Sequence, residues 1–325
     1  MLYTLMSYIK LDAKDKEILR ELDINFRQSF SKIGRKVGLS KNSVGLRFEK
    51  LKECMLHNTL GLNNELLGYT MIKVYYSFDF YNENTELEII KELKKHRNLL
   101  WAARYYGEYD VGTCFLVNNL NDFIEQATKF DEKFANKINR KEIELVSKQI
   151  FFRHNFIHDR EIPKYYKIEK TNKILSLTDI EKRILKTMRY EPRMSIIDIV
   201  RKTGLSTKTI TSRLKQLEKT GIIMGYFMTL DHSKLDYNVF KLLIQIHSGK
   251  TNQEFDDYLS SLKETKYMVK MLGSWDYEVD LCCRNIRELQ NKIEMMKEKF
   301  PNMFKKIGIL SFGKRIATNK ESFLF

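Results

Sequence analysis

The stretch Thr203–Tyr237, TGLSTKTITSRLKQLEKTGIIMGYFMTLDHSKLDY, decides how the chain is read. Gly204-Leu205-Ser206 makes a turn: the glycine supplies the bend and Ser206 stands as N-cap of the helix that follows. In that helix Ile210, Leu214 and Leu217 fall at i, i+4 and i+7, one apolar stripe for packing. Around the stripe lie Ser206, Thr207, Lys208, Thr209, Thr211, Ser212, Arg213 and Lys215, short hydroxyls and cations suited to phosphate and base edges. Arg201 and Lys202, at the end of the preceding helix, are placed for the nucleic-acid backbone. Gly221 opens Ile222–Leu230, read as a strand pair and hence a wing.

The same pattern stands 166 positions earlier. Leu11, Ile18, Leu19, Arg27, Ser29, Ile33, Arg35, Lys36, Gly38, Leu39, Ser40, Arg47 and Leu51 meet identical residues from Leu177 to Leu217. After a two-residue slip Tyr69 and Lys73 meet Tyr237 and Lys241, and the first offset returns where Gly107 and Asp110 meet Gly273 and Asp276. This is a duplication, with a period too long for a solenoid. Copy one offers Lys32, Arg35, Lys36, Ser40, Lys41, Asn42, Ser43, Arg47 and Lys50 for nucleic acid. It reads as the weaker copy, because Gly45 interrupts the helix, Glu49 replaces Lys215, and Met55 stands where the second copy has Gly221.

Each copy continues into alternating strands and helices. Strands are expected at Thr70–Phe78, Leu99–Tyr106, Val111–Val117 and Ile143–His154, and helices at 86–95 and 121–136. Thr85-x-x-Glu88 and Thr251-x-x-Glu254 have capping-box spacing. The order β-α-β-β-α-β is ferredoxin-like. The fold class is therefore α+β: winged helix-turn-helix domains at 9–62 and 176–229, and ferredoxin-like domains at 66–155 and 234–316. A basic connector at 156–175 contains Pro163.

With 325 residues, 43% hydrophobic and 30% charged, the chain is globular and several domains long. A net charge of +15 favours polyanionic partners, duplex DNA first. Cys54, Cys114, Cys282 and Cys283 show no zinc-ligand spacing, so no metal or cofactor is expected. The apolar run in MLYTLMSYIK is too short for a signal or a span, and no eighteen-residue apolar run occurs, so a cytoplasmic protein without membrane contact is expected.

Thr203–Tyr237, followed by GSWDYEVDL, resembles the Lrp/AsnC (feast/famine) regulators of bacteria and archaea. The resemblance implies a winged helix joined to a ligand-sensing domain, here twice over, and a sequence-specific transcription regulator rather than an enzyme. One chain would then act as an intrachain pseudo-dimer, with a homodimer of chains left open. It also implies that Gly107, Asp110, Gly273 and Asp276 sit in loops where amino-acid effectors bind. The residues alone favour plain hairpins, each with glycine at positive φ and aspartate capping the turn. Some tandem relatives of this architecture are siroheme decarboxylases, the alternative reading. That chemistry asks for converging His and Arg groups, and His96, His154, His232 and His247 are scattered along the chain, with Arg104 and Tyr105 as its best support. An RNA-binding sheet is disfavoured, since the strands lack the aromatic RNP pattern.

Overall fold

The structure is a computed structural model that describes residues 8–158, 166–247 and 253–318. Copy one runs α1 (Ala13–Ile24), α2 (Phe30–Val37), α3 (Lys41–Leu51), β1 (Met55–Leu62), β2 (Thr70–Phe78), α4 (Glu83–Leu93), β3 (Leu99–Gly107), β4 (Val111–Val117), α5 (Leu120–Lys133) and β5 (Ile138–Phe151). A short strand, β6 (Tyr166–Glu169), follows. Copy two opens with α6 (Asp179–Met188), α7 (Ile196–Thr203), α8 (Thr207–Lys219) and β7 (Ile223–Leu230). It continues with β8 (Asn238–Ile246), α9 (Gln253–Ser261), β9 (Thr265–Leu272), β10 (Tyr277–Cys283), α10 (Ile286–Lys299) and β11 (Phe304–Thr318).

The chain divides into two compact units that cut across the duplication. The first comprises residues up to Asn63, Phe152–Tyr166 and Leu175–Asn238, and so contains both helix-turn-helix domains. Gly38 and Gly204 end α2 and α7 at φ 70° and 64°, and Ser40 and Ser206 cap α3 and α8 by accepting from the Ser43 and Thr209 amides. Val44, Phe48 and Leu51 are buried beneath α3, as Ile210, Leu214 and Leu217 are beneath α8.

The expected wing is not a hairpin. β7 is one continuous strand, and its partner is β1 of the other copy, antiparallel, with Leu60 facing Tyr226, its own counterpart in the repeat. An approximate two-fold axis therefore passes through this pair. Arg27 donates to the Pro192 carbonyl at 2.7 Å, and its counterpart Arg193 donates to the Phe26 carbonyl. Within β7 a Cβ on Gly225 would run into the Tyr166 hydroxyl, so the strand needs a residue with no side chain there.

The second unit comprises Asn64–Phe151, Lys167–Ile174 and the chain from Val239. Its strand order is β2-β4-β3-β11-β8-β10-β9-β5, and β5 also pairs with β2. That pairing closes eight strands into a barrel built from both copies, with β6 added beside β5. The two ferredoxin-like sheets meet at two seams, β3 with β11 and β5 with β9. Ile72, Val74, Tyr76 and Phe78 of β2 pack with Ile89 and Leu93 of α4 and Phe123 and Phe130 of α5, so the helices cover the outside of the sheet. By the two-residue period, Lys73 and Tyr75 face the lumen.

Two finer expectations are corrected. α4 starts a turn earlier than Thr85-x-x-Glu88 suggested: Asn82 is the N-cap and accepts from the Thr85 amide at 3.0 Å, leaving Thr85 inside the first turn. Thr251 and Pro163 lie outside the described residues. Part of the connector is ordered into β6, a strand too short to leave a period in the sequence, and Lys170 just after it pairs with Glu65 at 2.9 Å. Among the described residues no helix is long and apolar enough to cross a membrane.

Candidate functional site

The duplication brings its two equivalent lysines together inside the barrel. Lys73 on β2 and Lys241 on β8 are 1% and 3% exposed, and both reach the carboxylate of Glu278 on β10, which is fully buried. Lys73 Nζ lies 2.7 Å from each Glu278 oxygen. Lys241 also donates to Asp280 at 2.6 Å, and the Tyr75 hydroxyl donates to Glu278. Burial works against charge on Glu278, but Lys241 and then Lys73 outweigh it and hold the carboxyl well below its ordinary range. Lys241 is likewise held above the ordinary ammonium range, Asp280 and Glu278 overcoming its burial.

The acid is not duplicated. The repeat position of Glu278 is Gly112, where a Cβ would meet the Tyr105 ring at 2.7 Å and the Tyr75 ring at 3.1 Å. Two symmetric cations thus share one asymmetric acid. Lys73 also lies 4.9 Å from the Tyr267 ring centroid and 5.8 Å from that of Trp101, while Arg315 sits 5.5 Å from Trp101. A lumen lined by ammonium, guanidinium and phenol groups can hold a carboxylate away from water.

The Gly-x-x-Asp loops lie at the quasi-axis of this unit. Asp110 accepts from the Phe78 amide and Asp276 from the Ile246 amide, each at 2.8 Å, so both carboxylates tie their hairpin to the neighbouring strand. Tyr109 and Trp275, repeat counterparts, are buried and joined by a 3.1 Å bond from the indole nitrogen to the phenol oxygen. Arg140 stacks on Tyr109 and its counterpart Lys306 on Trp275, each 5.1 Å from the ring centroid.

On the helix-turn-helix domains, Arg47 and Arg213 are held within their own domains. Arg47 pairs with Asp12 at 2.6 Å and Asp15 at 2.7 Å, and Arg213 with Glu181 at 3.5 Å. Asp15 and Glu181 are the capping-box acids of α1 and α6, so each arginine ties the third helix to the start of the first. Lys36 pairs with Glu21, Arg201 with Asp198 and Lys202 with Glu191. Lys32, Arg35, Lys41, Asn42, Lys50, Ser206, Thr207, Lys208 and Lys215 are exposed, as is the N-cap Ser40; Ser43, Thr209 and Thr211 are half-buried.

The histidines are less scattered than their numbers suggest. In the first unit His154, His158 and His232 gather near buried Asp23, which accepts from the His154 amide at 2.7 Å; the His154 and His232 rings are 6.1 Å apart. Arg153 donates to the Asp23 carbonyl in the same cluster. His96 is buried against Phe115 and Phe123, and burial lowers it to about 4; His247 is exposed. Arg104 pairs with Glu86 on the outer, helix-covered side, whereas Tyr105 faces the lumen. All four cysteines are free and buried, and burial pushes the Cys54 thiol up to about 11. Among the described residues no group of three His, Cys, Asp or Glu side chains could hold a metal ion.

Comparison with known proteins recognises the helix-turn-helix segment of each copy. Residues 11–52 match the AsnC-type helix-turn-helix domain and residues 177–224 the winged helix-turn-helix DNA-binding domain. The leucine-responsive regulatory protein of Haemophilus influenzae is 35% identical over 121 residues, covering 36% of this chain and 70% of that protein. The chain belongs to the Lrp/AsnC family. A second Lrp/AsnC relative, the HTH-type transcriptional regulator FL11 of Pyrococcus furiosus, is 28% identical over 37% of this chain and 80% of its own length.

The whole chain finds a different likeness. The crystal structure of the siroheme decarboxylase NirDL covers 95% of this chain and 94% of that one, with a TM-score of 0.64 at 12% identity. The same enzyme with an iron-uroporphyrin III analogue gives 0.63 at 13% identity. This corrects the expectation of a sequence-specific transcription regulator that is not an enzyme. The helix-turn-helix signature identified domains of DNA-binding type, but the likeness that runs through both copies is to an enzyme.

Proposed function

We propose that this Lrp/AsnC-family chain is an enzyme of the siroheme-decarboxylase type, acting on a carboxylate-bearing tetrapyrrole. The observation that carries the reading is the extent of the likeness: the fused pair of helix-turn-helix domains and the fused barrel are matched together, end to end. The lumen supports it chemically. Decarboxylation breaks the bond to a carboxylate, releases CO2 and leaves an electron pair on carbon that must take up a proton. Lys73 and Lys241 can anchor a carboxylate, with substrate competing against Glu278 for the two ammonium groups. Burial, opposed by Lys241, pushes the Tyr105 phenol well above its ordinary range, so it stays protonated and able to donate. Substrate acids would enter a site already arranged for a carboxylate, and one chain supplies both halves of it.

The test is incubation of the full chain with reduced siroheme under anaerobic conditions, followed by mass analysis of the pigment. The expected result is stepwise loss of CO2, with Lys241→Met lowering kcat/KM by roughly 100-fold. An unchanged pigment, with a wild-type absorbance titration showing no binding, would remove the enzyme reading.

A further inference from the structure

Arg315 is a lumen cation without an acid. It stands on β11 opposite Ala103, and its neighbour Ile316 packs against the core between sheet and helices, so Arg315 takes the lumen face. Lys73 and Lys241 are buried and draw on Glu278 and Asp280. Arg315 is exposed, and among the described residues no carboxylate lies within ion-pair distance of it. Its guanidinium lies 5.5 Å from the ring centroid of half-buried Trp101. The wall around it is dense enough for desolvation to lower the guanidinium from its ordinary range, against the Tyr105 phenol and the Cys114 thiol. A group crowded by protein and still reached by solvent marks an opening in a concave wall.

The repeat shows the same place when it is shut. Gln149 and Tyr267 are the counterparts of Arg315 and Trp101. Gln149 is 2% exposed, and its side-chain oxygen accepts from the Tyr267 hydroxyl at 2.9 Å. Phe151 packs on Tyr267 with ring centroids 4.7 Å apart. Val146 is buried, whereas its counterpart Phe312 is 39% exposed. β6 lies beside β5 on this wall; the stretch Phe312–Thr318 of β11 pairs with β3 and, among the described residues, with no strand on its other edge. One wall is sealed and neutral, and the other is open and cationic.

We propose that the barrel has kept one of two equivalent wall sites, and that Trp101 and Arg315 there bind one carboxylate carried on a flat aromatic ring per chain. A guanidinium takes a carboxylate through two parallel N–H donors, and an indole face gives the ring a surface to lie against. The opposite wall offers neither, because its amide and phenol satisfy each other. The site is distinct from the Lys73–Lys241–Glu278 network, whose charges are already matched. It rests on the proposed function only in taking the lumen as a place for ligand, and it adds which wall receives an aromatic acid.

The test is fluorescence anisotropy of pyrenecarboxylate titrated with the full chain, with pyrenemethanol as the uncharged control. Wild type is expected to bind one molecule of the acid per chain, and the alcohol about 10-fold more weakly. Arg315→Gln, which places the residue of the closed wall on the open one, is expected to weaken the acid roughly 10-fold or more and to leave the alcohol as it was. Arg315→Lys keeps the charge without the paired donors and should fall between. Tyr267→Phe, which unlocks Gln149 on the opposite wall, should alter neither ligand by more than about 2-fold. Acid and alcohol bound alike, two molecules of acid per chain, equal losses in Arg315→Gln and Tyr267→Phe, or no binding by wild type would overturn the proposal. Siroheme turnover is read separately. A chain that binds the pyrene acid through Arg315 and leaves siroheme unchanged keeps this site and loses the decarboxylase reading. A chain that decarboxylates siroheme and does not bind the pyrene acid does the reverse.

Discussion

Glu278→Ala is expected to destabilise the barrel by about 3–5 kcal/mol, more than any other single charge removal in the chain. The substitution strands two ammonium groups that are 1% and 3% exposed, leaving Lys241 with Asp280 and Lys73 with no carboxylate partner among the described residues. The large figure comes from the uncompensated charge, not from a strong net attraction in the intact network. Removing the network together is therefore expected to be far milder. A chain carrying Lys73→Met, Lys241→Met, Glu278→Leu and Asp280→Asn should recover most of the loss, as buried ion pairs replaced by apolar groups of similar volume generally do. Urea unfolding of the two variants checks this, and equal losses would show that the ion pairs themselves supply the stability. The pH response follows with a definite sign. Glu278 is held below its ordinary range in the folded chain, so the folded state binds that proton less readily than the unfolded one. Its stabilisation is complete above the ordinary carboxylate range and is lost as pH falls toward the depressed value. Glu144, buried on β5 and raised to about 7 by that burial, acts the opposite way: its contribution is greatest at low pH and fades as pH rises through neutrality.

The barrel also explains what the sequence could and could not disclose. Thr70–Phe78 and Val111–Val117 were legible to the residue, because β-branched and aromatic runs bounded by turns leave few alternatives. Lys73 and Lys241 were visible as a repeated identity, yet a lysine alternating with apolar residues reads as a solvated face. Period-two alternation says which residues share a face; it does not say whether that face meets water. Only closure, the pairing of β5 with β9 and of β3 with β11, turns the polar face inward. Glu144 was hidden for a related reason, since its partners, the Ser274 and Trp275 amides, lie about 130 residues away in the other copy. His154 and His232 were judged scattered on sequence distance, although their rings are neighbours. Ile222–Leu230, expected as a strand pair after Gly221, is a single strand because its partner, β1, comes from the other copy, far away in sequence. The functional reading went astray similarly: the helix-turn-helix motif is compact and specific, whereas a lumen assembled from eight strands leaves no contiguous motif.

Gly107→Ala and Gly204→Ala are expected to differ sharply, although both residues occupy positive φ. Gly204 ends α7 at φ +64°, and a Cβ there meets nothing within 4 Å, so alanine pays only the left-handed backbone cost of about 1–2 kcal/mol. Gly107 sits at φ +135°, outside the left-handed well that other residues tolerate, with its virtual Cβ 2.2 Å from the Ile309 carbonyl. That carbonyl belongs to β11, and Gly107 is the register partner of Leu310 at the seam where the two copies join. Neither side can yield cheaply: moving β11 outward lengthens the β3–β11 pairing, and moving β3 inward drives Tyr105 toward Lys241, 5.8 Å from its ring centroid. A loss of at least about 3 kcal/mol is expected, large enough to be diagnostic of a steric backbone clash. Thermal melts of the two variants measure the difference. Because the seam closes the barrel, Gly107→Ala should also expose the lumen, seen as faster exchange of the Tyr105 and Lys241 amides, which Gly204→Ala leaves unchanged. Similar losses in the two variants, with no change in lumen exchange, would mean that the seam tolerates opening and that the barrel is not held shut by this close backbone approach.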